Sequence, residues 1–301
     1  MKLTLLGTGT SIGVPAIGCS CEVCRSTYAK DKRLRASAML ETEGGLRVLI
    51  DCGPDFRQQI IRYRSPYNIN NVSSSPFFDK IDAVLYTHIH YDHVGGTDDL
   101  RPFAWFGDVD IYAQKDVIDG LHQTMPYCFK EQLYPGVPHL KLHQISSGRP
   151  FTVRRPYEST VDVFEGGSTL NGIMRNRRVQ RLIPPALDEL EILPIRVMHG
   201  KLPILGFRIG KLAYITDMKY MEKECMEMLK GVDTLVVNAL RFHIEHHSHQ
   251  IVNEAIDFAR AIGATRTYFT HLTHDIGTHD WANKQLPKGF EFGYDGQVIN
   301  I

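Results

Sequence analysis

Short apolar stretches alternate along the chain with segments whose apolar positions recur at helical spacing. Strands are expected where apolar and β-branched residues cluster between polar or glycine-rich positions, and helices where the period is close to 3.6. The predicted strands cover residues 2–6, 46–50, 83–86, 109–112, 213–216, 234–237 and 267–270, and the predicted helices cover residues 54–62, 114–123, 219–229 and 251–262. This mixture of elements predicts a layered α/β fold.

Two stretches do not fit this periodicity. Residues 63–78 are rich in Ser and Asn, and residues 130–187 contain Pro, Gly and basic residues that interrupt any regular pattern. Because long stretches without a period are uncommon in a compact core, we expect both to be insertions. We find no segment typical of a linker, and we therefore expect a single domain over residues 1–301, with the insertions as candidates for the interface of a homodimer.

Composition and charge narrow the class of protein. Apolar residues make up 43% and charged residues 23% of the chain, which is typical of soluble globular proteins. Lys plus Arg equals Asp plus Glu at 34 each, so no overall field favours nucleic acid or a membrane. The apolar start of the chain is too short for a signal sequence. We expect a cytoplasmic protein without a membrane partner.

Candidate metal ligands concentrate where the predicted strand 83–86 ends. His88, His90, Asp92 and His93 follow that strand in the pattern H-x-H-x-D-H. In an extended chain His88 and His90 point to the same side and can bind one ion, while the following turn can direct Asp92 and His93 to a second. A lone histidine is usually an ordinary surface or core residue, but such a dense cluster is not. The segment therefore predicts a two-metal centre.

The six cysteines include a second candidate group. Cys19, Cys21 and Cys24 form the pattern C-x-C-x₂-C, and the chain has too few cysteines for a disulfide framework. Three thiolates are one ligand short of a closed structural zinc site. The spacing alone leaves a metal site, redox chemistry and three buried small residues as alternatives.

The histidine motif and later positions resemble the metallo-β-lactamase superfamily, in which H-x-H-x-D-H follows a strand. Asp51 resembles the family's supporting aspartate, and His199, Asp217 and His271 resemble its later ligands, in the same order along the chain. The resemblance implies an α/β fold of the four-layer αββα sandwich type, carrying the insertions described above.

The same resemblance implies two catalytic divalent ions, Zn²⁺, Mn²⁺ or Fe. It makes Asp217 the bridging ligand, and Asp92 and Asp217 catalytic residues. The implied ligands are His88, His90 and His199 for one ion and Asp92, His93 and His271 for the other.

One branch of the superfamily is particularly similar. The opening segment Gly7–Pro15 with the cysteine triplet, and the closing L-P-x-G and Y-D-G patterns, resemble phosphodiesterases of the carbon–phosphorus lyase pathway that act on a phosphoribosyl 1,2-cyclic phosphate. That branch implies one structural Zn²⁺. Its ligands here would be Cys19, Cys21, Cys24 and His274.

The branch also implies a substrate-binding histidine five residues before a Glu-Ala pair that begins a helix. Counting back from Glu254 gives His249, which would contact the phosphate and assist the leaving oxygen. His246 is a second candidate substrate contact, and the neighbouring His247 leaves the register open. The alternative is that this segment is an exposed loop with a helix cap.

The function expected is a metal-dependent phosphodiesterase that hydrolyses a small cyclic or nucleotide-like phosphodiester through a metal-bridged water or hydroxide. Basic residues at 154–155 and 171–181 make RNA an alternative partner, in an endonuclease of the tRNA 3′-end type. A lactone or thioester hydrolase is a further alternative, because the same centre can attack carbonyls. A non-enzymatic metal-binding or redox protein is the least favoured interpretation.

Overall fold

The computed structural model of the protein describes residues 1–63, 80–134, 136–165, 169–170, 173–174, 177–183 and 185–301. Except for residue 63, the expected insertion 63–78 lies outside the described residues. The strands are β1 (Lys2–Gly7), β2 (Ser37–Glu41), β3 (Arg47–Ile50), β4 (Ala83–Leu85), β5 (Val109–Ala113), β6 (Leu140–Gln144), β7 (Phe151–Val153), β8 (Ser159–Glu165), β9 (Thr169–Leu170), β10 (Ile173–Met174), β11 (Arg177–Ile183), β12 (Leu190–His199), β13 (Leu202–Ile209), β14 (Leu212–Ile215), β15 (Thr234–Asn238), β16 (Arg266–Thr270), β17 (Phe290–Phe292) and β18 (Val298–Asn300). The α-helices are α1 (Glu22–Arg25), α2 (Phe56–Tyr63), α3 (Tyr91–Val94), α4 (Lys115–Thr124), α5 (Lys223–Glu227), α6 (Val252–Ile262) and α7 (His279–Lys284).

Two seven-stranded sheets form the middle of the molecule. The first has the order β18-β1-β2-β3-β4-β5-β6 and the second the order β17-β16-β15-β14-β13-β12-β7. Strands β3 to β6 are parallel, as are β14 to β17, whereas the other neighbours in each sheet are antiparallel. Each sheet therefore has a parallel half whose strands all end at the same edge.

Side chains of each sheet alternate between an inner and an outer core. Ile50 of β3 and Tyr214 of β14 pack together in the core between the sheets, whereas their neighbours Leu49 and Ile215 face outward. Helices α2 and α4 cover the outer face of the first sheet, and α6 covers that of the second. The expected four-layer αββα sandwich is confirmed. Every helix among the described residues is too short or too polar to span a membrane.

All seven predicted strands are present, with ends that differ by at most one residue from the prediction. The predicted helix 219–229 is longer than the observed α5. The helix prediction was wrong for the first residues of this segment. The backbone N–H groups of Lys219 and Tyr220 donate to the carbonyl of Met198, at 2.7 and 3.4 Å, and the Met198 N–H donates back to Tyr220 at 2.9 Å. This bridge to β12 takes the start of the segment out of helical geometry.

The expectation that all of residues 130–187 are inserted is wrong for β6 and β7. Strand β6 pairs with β5 at the edge of the first sheet, and β7 pairs with β12 at the edge of the second. The chain thus crosses between the sheets here, and both strands belong to the core framework. The antiparallel ribbon β8–β11 lies outside the two sheets, and β8 contacts the 3-10 segment Thr97–Phe106 that follows the histidine motif.

Candidate metal centre and hydrolytic site

Chemically active side chains meet where strands of the two sheets end. In parallel sheets such edges are the usual place for ligand sites, because loops from neighbouring strands converge there. We call the following set the strand-end centre: His88, His90, Asp92 and His93 after β4, His199 at the end of β12, Asp217 after β14, and His271 after β16. The structure brings all seven of these predicted residues together.

Three residues at or beside the strand-end centre have strained backbone conformations. Asp51, Asp217 and His271 have φ values of 60°, 57° and 56°, in the left-handed region that costs a non-glycine residue on the order of 1 kcal/mol. Each lies within two residues of a strand end. Behind Asp217 the backbone is clamped by Asn238, whose Oδ1 accepts from the Met218 N–H at 2.7 Å and whose Nδ2 donates to the Met218 carbonyl at 3.0 Å. The fold therefore holds Asp217 in a conformation that it would otherwise disfavour.

Asp51 is hydrogen-bonded to the segment that carries the histidine motif. Its carboxylate accepts hydrogen bonds from the Thr87 N–H at 2.9 Å and from the Thr87 hydroxyl at 2.9 Å. His93 Nδ1 lies 2.7 Å from Asp51 Oδ2, which leaves His93 Nε2 facing the centre. Burial opposes charge on this imidazole, but the Asp217 and Asp51 carboxylates outweigh it and raise the pKa of His93. Two carboxylates thus face this ring where a cation fits.

His88 and His199 are oriented in the same way through their Nδ1 atoms. The Thr87 hydroxyl donates to Asp51 and therefore accepts from His88 Nδ1, at 2.9 Å. His199 Nδ1 donates to the carbonyls of Asp217 at 2.9 Å and Ser248 at 3.0 Å. Both tautomers, inferred from these partners, leave the Nε2 lone pair available for a metal ion.

The two aspartates lie between the rings. Asp217 Oδ2 and Asp92 Oδ2 each lie 3.2 Å from His93 Nε2, and Asp217 Oδ1 lies 3.1 Å from His271 Nε2. Although burial favours the neutral acid, His271 and His93 lower the pKa of both carboxyl groups. Both aspartates are therefore ionised at neutral pH and can serve as ligands.

Unpaired nitrogen atoms test whether metal ions fit. Among the described residues, the buried His88 Nε2, His93 Nε2 and both ring nitrogens of His271 have no partner in hydrogen-bond geometry. The carboxylate oxygens near His93 Nε2 and His271 Nε2 lie within 3.2 Å of these atoms but are not aligned for a hydrogen bond. Because buried polar atoms are almost always paired, this arrangement suits a cation shared between the rings and the carboxylates. Three ligand groups have their donor atoms within 4.8 Å of one another: His88, His93 and Asp217; Asp92, His93 and His271; and His199, Asp217 and His249. Imidazole and carboxylate donors suit Zn²⁺ or Mn²⁺.

His90 lies at the open side of the centre. Its ring centroid is 4.5 Å from that of His88 and 5.2 Å from that of His199. The residue is exposed, unlike His88 and His93, which are buried. The three rings predicted to share one ion therefore do lie side by side.

His249, which the sequence assigns to substrate, contacts the centre directly. Its Nε2 lies 2.9 Å from Asp217 Oδ1, and its Nδ1 lies 3.0 Å from His246 Nδ1. Burial lowers the pKa of His249 to about 4, and burial also lowers that of His246. The position of His249 beside His199 and Asp217 suits a metal ligand as well as a substrate contact, an ambiguity that the sequence pattern did not indicate. His247 is exposed at the rim.

A cavity of about 630 Å³ opens beside His90 and His199. Its wall includes Lys201, Lys219 and Tyr220. Pockets of this size accommodate a small organic ligand. The centre is therefore reached from a preformed pocket.

The second candidate group, which we call the cysteine site, comprises Cys19, Cys21, Cys24 and His274. The four donor atoms lie within 4.8 Å of one another, and all three cysteines are free thiols. His274 Nδ1 lies 3.4 Å from Cys21 Sγ and 3.8 Å from Cys19 Sγ. A hydrogen bond from the Cys24 N–H lowers the pKa of Cys21 to about 6, whereas burial raises that of Cys24 to about 11. Three sulfurs and one imidazole match a closed zinc site.

Comparison with known proteins identifies the family. Residues 46–272 match the model of the beta-lactamase superfamily domain. The chain belongs to the metallo-β-lactamase superfamily. The resemblance inferred from the histidine motif is thus confirmed.

Individual relatives add detail. A new diphosphatase from the PhnP family, known from its crystal structure, is 32% identical in sequence to this chain. The two structures align with a TM-score of 0.75 over 99% of this chain and 96% of that one. Zn²⁺-bound PqqB from Methylobacterium extorquens shares the fold, with 19% identity and a TM-score of 0.67 over the full length of both chains. A Porphyromonas gingivalis protein named octanoyltransferase is 39% identical over 98% of this chain. The chain spans only 51% of that relative's length.

Sequence reasoning identified Asp51 as a supporting residue but missed the other residues that orient the ligands. Thr87 directly precedes the motif, Asn238 ends β15, and Ser248 precedes His249. Thr87 and Asn238 are both polar residues at the end of a buried apolar strand, and this position was the signal that could have found them. Ser248 holds His199 through its backbone carbonyl, and its hydroxyl lies 3.2 Å from the Nδ1 atoms of His246 and His249.

Proposed function

We propose that the chain is a phosphodiesterase that hydrolyses a small cyclic or nucleotide-like phosphodiester. The observation that carries the proposal is the strand-end centre itself, where imidazole nitrogens without hydrogen bonds and two ionised aspartates lie beside a pocket lined by His90 and His199. The 32% identical PhnP-family diphosphatase supports phosphorus rather than carbon as the atom attacked.

In this proposal His88, His90 and His199 would hold one divalent ion, Asp92, His93 and His271 would hold the second, and Asp217 would be a ligand of both. The ions are Zn²⁺ or Mn²⁺, with Fe as an alternative. When bound, such a pair lowers the pKa of water and stabilises charge on a phosphoryl oxygen. The close grouping of the Asp92, His93 and His271 donors supports the second ligand set, whereas the groups His88, His93, Asp217 and His199, Asp217, His249 do not follow this division.

The protein's own contribution is orientation and hydrogen bonding. Asp51 and Thr87 hold His93 and His88 with their Nε2 atoms directed at the centre. His249, neutral at physiological pH because of its lowered pKa, donates a hydrogen bond from Nε2. If Asp217 bound metal ions, the His249 Nε2–H group would be free to donate to a phosphoryl or leaving oxygen. His246 orients His249 through the Nδ1 contact and borders the substrate.

The His249→Ala variant separates the substrate role from the ligand role. If His249 binds substrate, the variant keeps its metal content while kcat on a phosphodiester falls about a hundredfold, a typical loss for one positioned donor. Loss of metal would make His249 a ligand, and an unchanged kcat would exclude both roles.

At the cysteine site we propose one structural Zn²⁺ held by Cys19, Cys21, Cys24 and His274. Its function would be to tie the N-terminal loop to the segment that follows β16, directly beside His271. The four clustered donors support this assignment, and the free energy of metal binding would become folding free energy.

A panel of chromogenic substrates tests the bond that is cleaved. Bis(p-nitrophenyl) phosphate represents diesters, p-nitrophenyl acetate represents esters, and a γ-lactone represents cyclic esters. We expect metal-dependent turnover of the diester to exceed that of the two carbonyl substrates. Faster hydrolysis of either carbonyl substrate would contradict the proposal.

An acyl thioester is the second candidate substrate, favoured by the relative named octanoyltransferase. Because this chain matches half of that protein's length, the name alone does not assign acyl chemistry to the matching half. Octanoyl-coenzyme A belongs in the same panel for this reason. Metal-dependent release of free thiol from it, faster than diester hydrolysis, would support this candidate instead.

RNA remains a further candidate partner. Ribbon strand β11 carries Arg177, Arg178 and Arg181, and pairs with β8 away from the two main sheets. A phosphate-binding surface there is less well supported than the small-molecule pocket, because the pocket lies directly beside His90 and His199. Salt-dependent binding of a single-stranded RNA would favour the nuclease function. We also propose a cytoplasmic homodimer, which light scattering and cell fractionation can test.

A further inference from the structure

A second cavity lies on the outer face of the first sheet, between β1 and α2. Its volume is about 540 Å³, which suits a small organic ligand. Thr4 and Leu6 of β1 line it, whereas Leu5 between them packs in the core between the sheets. Helix α2 contributes Gln59 and Arg62. The described residues that line this cavity include no member of the strand-end centre.

Two buried polar atoms in the wall lack hydrogen-bond partners. Gln59 Nε2 donates to the Arg35 carbonyl at 2.8 Å, and this contact assigns the other amide atom, Oε1, as the unused acceptor. Among the described residues, Gln59 Oε1 and the Thr4 hydroxyl have no partner, although both residues are only 2% exposed. Because buried polar atoms are almost always paired, the wall is suited to a ligand group that both donates and accepts.

The charged residues of the wall give it a net charge of one sign. Arg62 is exposed and makes no ion pair within the described part of the chain. Lys32 Nζ donates to the Cys24 carbonyl at 3.1 Å and keeps its other N–H donors. Asp295 accepts hydrogen bonds from two backbone N–H groups, and burial raises its pKa to about 6, so it is ionised at neutral pH. Two cations against one carboxylate leave one positive charge.

The rest of the wall is largely apolar. Leu6, Ala29 and Val298 contribute aliphatic surface. A single water molecule could pair the two unused polar atoms, but it would fill only a small part of this volume. The lining therefore matches a larger ligand with an aliphatic body, one hydroxyl group and one negative charge.

We propose that this cavity is a second binding site of the protein, for a small aliphatic hydroxy acid. Arg62 and Lys32 bind its carboxylate, and its hydroxyl pairs with Gln59 Oε1 and the Thr4 hydroxyl. A doubly charged phosphate ester fits less well, because its charge exceeds that of the wall. Since Lys32 also holds the Cys24 carbonyl, the ligand contacts the loop that carries the cysteine site.

Two probes that differ by one hydroxyl group test the polar part of the site. Calorimetry measures the binding of 2-hydroxy-4-methylpentanoate and of 4-methylpentanoate to the metal-loaded protein. We expect the wild type to bind the hydroxy acid about fivefold more tightly, the effect of one neutral hydrogen bond. Thr4→Val should remove this preference. Thr267→Val removes another buried, unpartnered hydroxyl that does not line the cavity, and it should leave the preference unchanged.

A second pair of variants tests the charged part. Arg62→Met should weaken the binding of both acids about tenfold, because each loses a charge-assisted hydrogen bond. Arg57→Met is the matched control, since Arg57 is exposed on the same helix but does not line the cavity. It should leave both affinities near those of the wild type.

Three results would overturn the proposal. One is the absence of saturable binding. Another is binding that neither Thr4→Val nor Arg62→Met alters, which would place the acid on the catalytic metal ions. The third is tighter binding of leucine, in which an ammonium replaces the hydroxyl, because the charge match would then be wrong. None of these measurements uses turnover, so their outcome is independent of the proposed phosphodiesterase function.

Discussion

The strand-end centre and the cysteine site are both sets of metal-ligand side chains, but they are held in place differently. In the centre, three histidines each have their second nitrogen fixed by a group that is not itself a ligand side chain: Asp51, the Thr87 hydroxyl, or backbone carbonyls. In the cysteine site the contacts run largely among the ligands, such as Cys21 Sγ with His274 Nδ1 and with the Cys24 N–H. The fold prepares the first site, whereas an ion would complete the second.

Because of this difference, the two sites should respond differently to loss of metal. The centre sits on the ends of core strands and keeps its geometry when ions leave. The cysteine site joins a loop near the N-terminus to the 3-10 turn His274–Ile276, and without its ion that connection is weakened. Loss of metal should therefore affect turnover through one site and stability through the other.

The largest expected effect comes from Asp217→Asn, which removes charge from the centre but preserves side-chain shape. We expect kcat on bis(p-nitrophenyl) phosphate to fall about a thousandfold, as when a major electrostatic contributor to a transition state is lost. The free energy of unfolding and the zinc of the cysteine site should change little.

Glu245→Gln is the matched control, because Glu245 is an exposed carboxylate in the same loop as His249. Its kcat should stay near that of the wild type. An Asp217→Asn enzyme within tenfold of wild-type kcat would remove the reason for placing catalysis at the centre.

Cys21→Ser should have the opposite effects to Asp217→Asn, because it should lower stability. We expect this variant to lose about one zinc ion per chain and more than about 2 kcal/mol of unfolding free energy, because a structural ion contributes directly to folding. Elemental analysis and urea unfolding measure the two quantities. Cys225→Ser, a change at a buried cysteine in α5 far along the chain from the site, controls for the loss of a thiol. An unchanged zinc count in Cys21→Ser would rule out the cysteine site as a zinc site.

Sequence alone predicted most of the strands that end at the centre, because β3, β4, β14, β15 and β16 are short, buried and apolar. It missed β12, which ends at His199, and its partner β13, although the two form a long hairpin. Pro194, Pro203 and Gly206 interrupt their apolar pattern, and these residues are tolerated here because the sandwich supplies packing on both sides. A local pattern does not contain that information.

The same division holds at the site. The candidate ligands could be recognised from the sequence, because the histidine motif, Asp217 and His271 have residue types that bind metal. The groups that orient the ligands are set by the tertiary structure. Thr87, after β4, bonds Asp51, after the neighbouring strand β3, and His199 bonds the Ser248 carbonyl, 49 residues away in the sequence. The contact of His249 with Asp217 likewise arises only when β14 and the loop before α6 meet.

A pH experiment asks whether the cysteine region has an anchor besides its ion. Asp295 accepts hydrogen bonds from the N–H groups of Thr8 and Leu34, on both sides of the cysteines in the sequence, and burial raises its pKa to about 6 from an ordinary value of 3.8. The native protein therefore retains a proton that the unfolded chain has released, and unfolding free energy should fall as pH rises from about 4 to 6.

The expected size of that fall is up to about 3 kcal/mol, and Asp295→Asn, which does not titrate, should lack it. Urea unfolding of both proteins at pH 4 and pH 7 gives the difference, in which titrations shared by the two proteins cancel. If the wild type gained stability relative to the variant as pH rose, folding would lower the pKa of Asp295 and not raise it, and burial would not be the dominant effect on this carboxyl group.

The smallest expected effect comes from Thr87→Val, which removes the hydroxyl between His88 and Asp51 without changing a proposed ligand. We expect metal affinity at the centre to fall about 10- to 100-fold, as is typical when a group that orients a ligand is lost. Metal titration followed by diester turnover measures the shift. Thr267→Val is the control, because it makes the same change at a buried threonine of β16 whose hydroxyl has no hydrogen-bond partner among the described residues. An equal shift in both variants would contradict the orienting role of Thr87.

The most direct test is a titration of metal-free protein with Zn²⁺ or Mn²⁺, with bound metal and bis(p-nitrophenyl) phosphate turnover measured on the same sample. We predict about three ions per chain at saturation, and turnover that appears only as the two ions of the strand-end centre bind. Full diester hydrolysis without divalent metal, or maximal turnover at about one ion per chain, would contradict the two-metal phosphodiesterase.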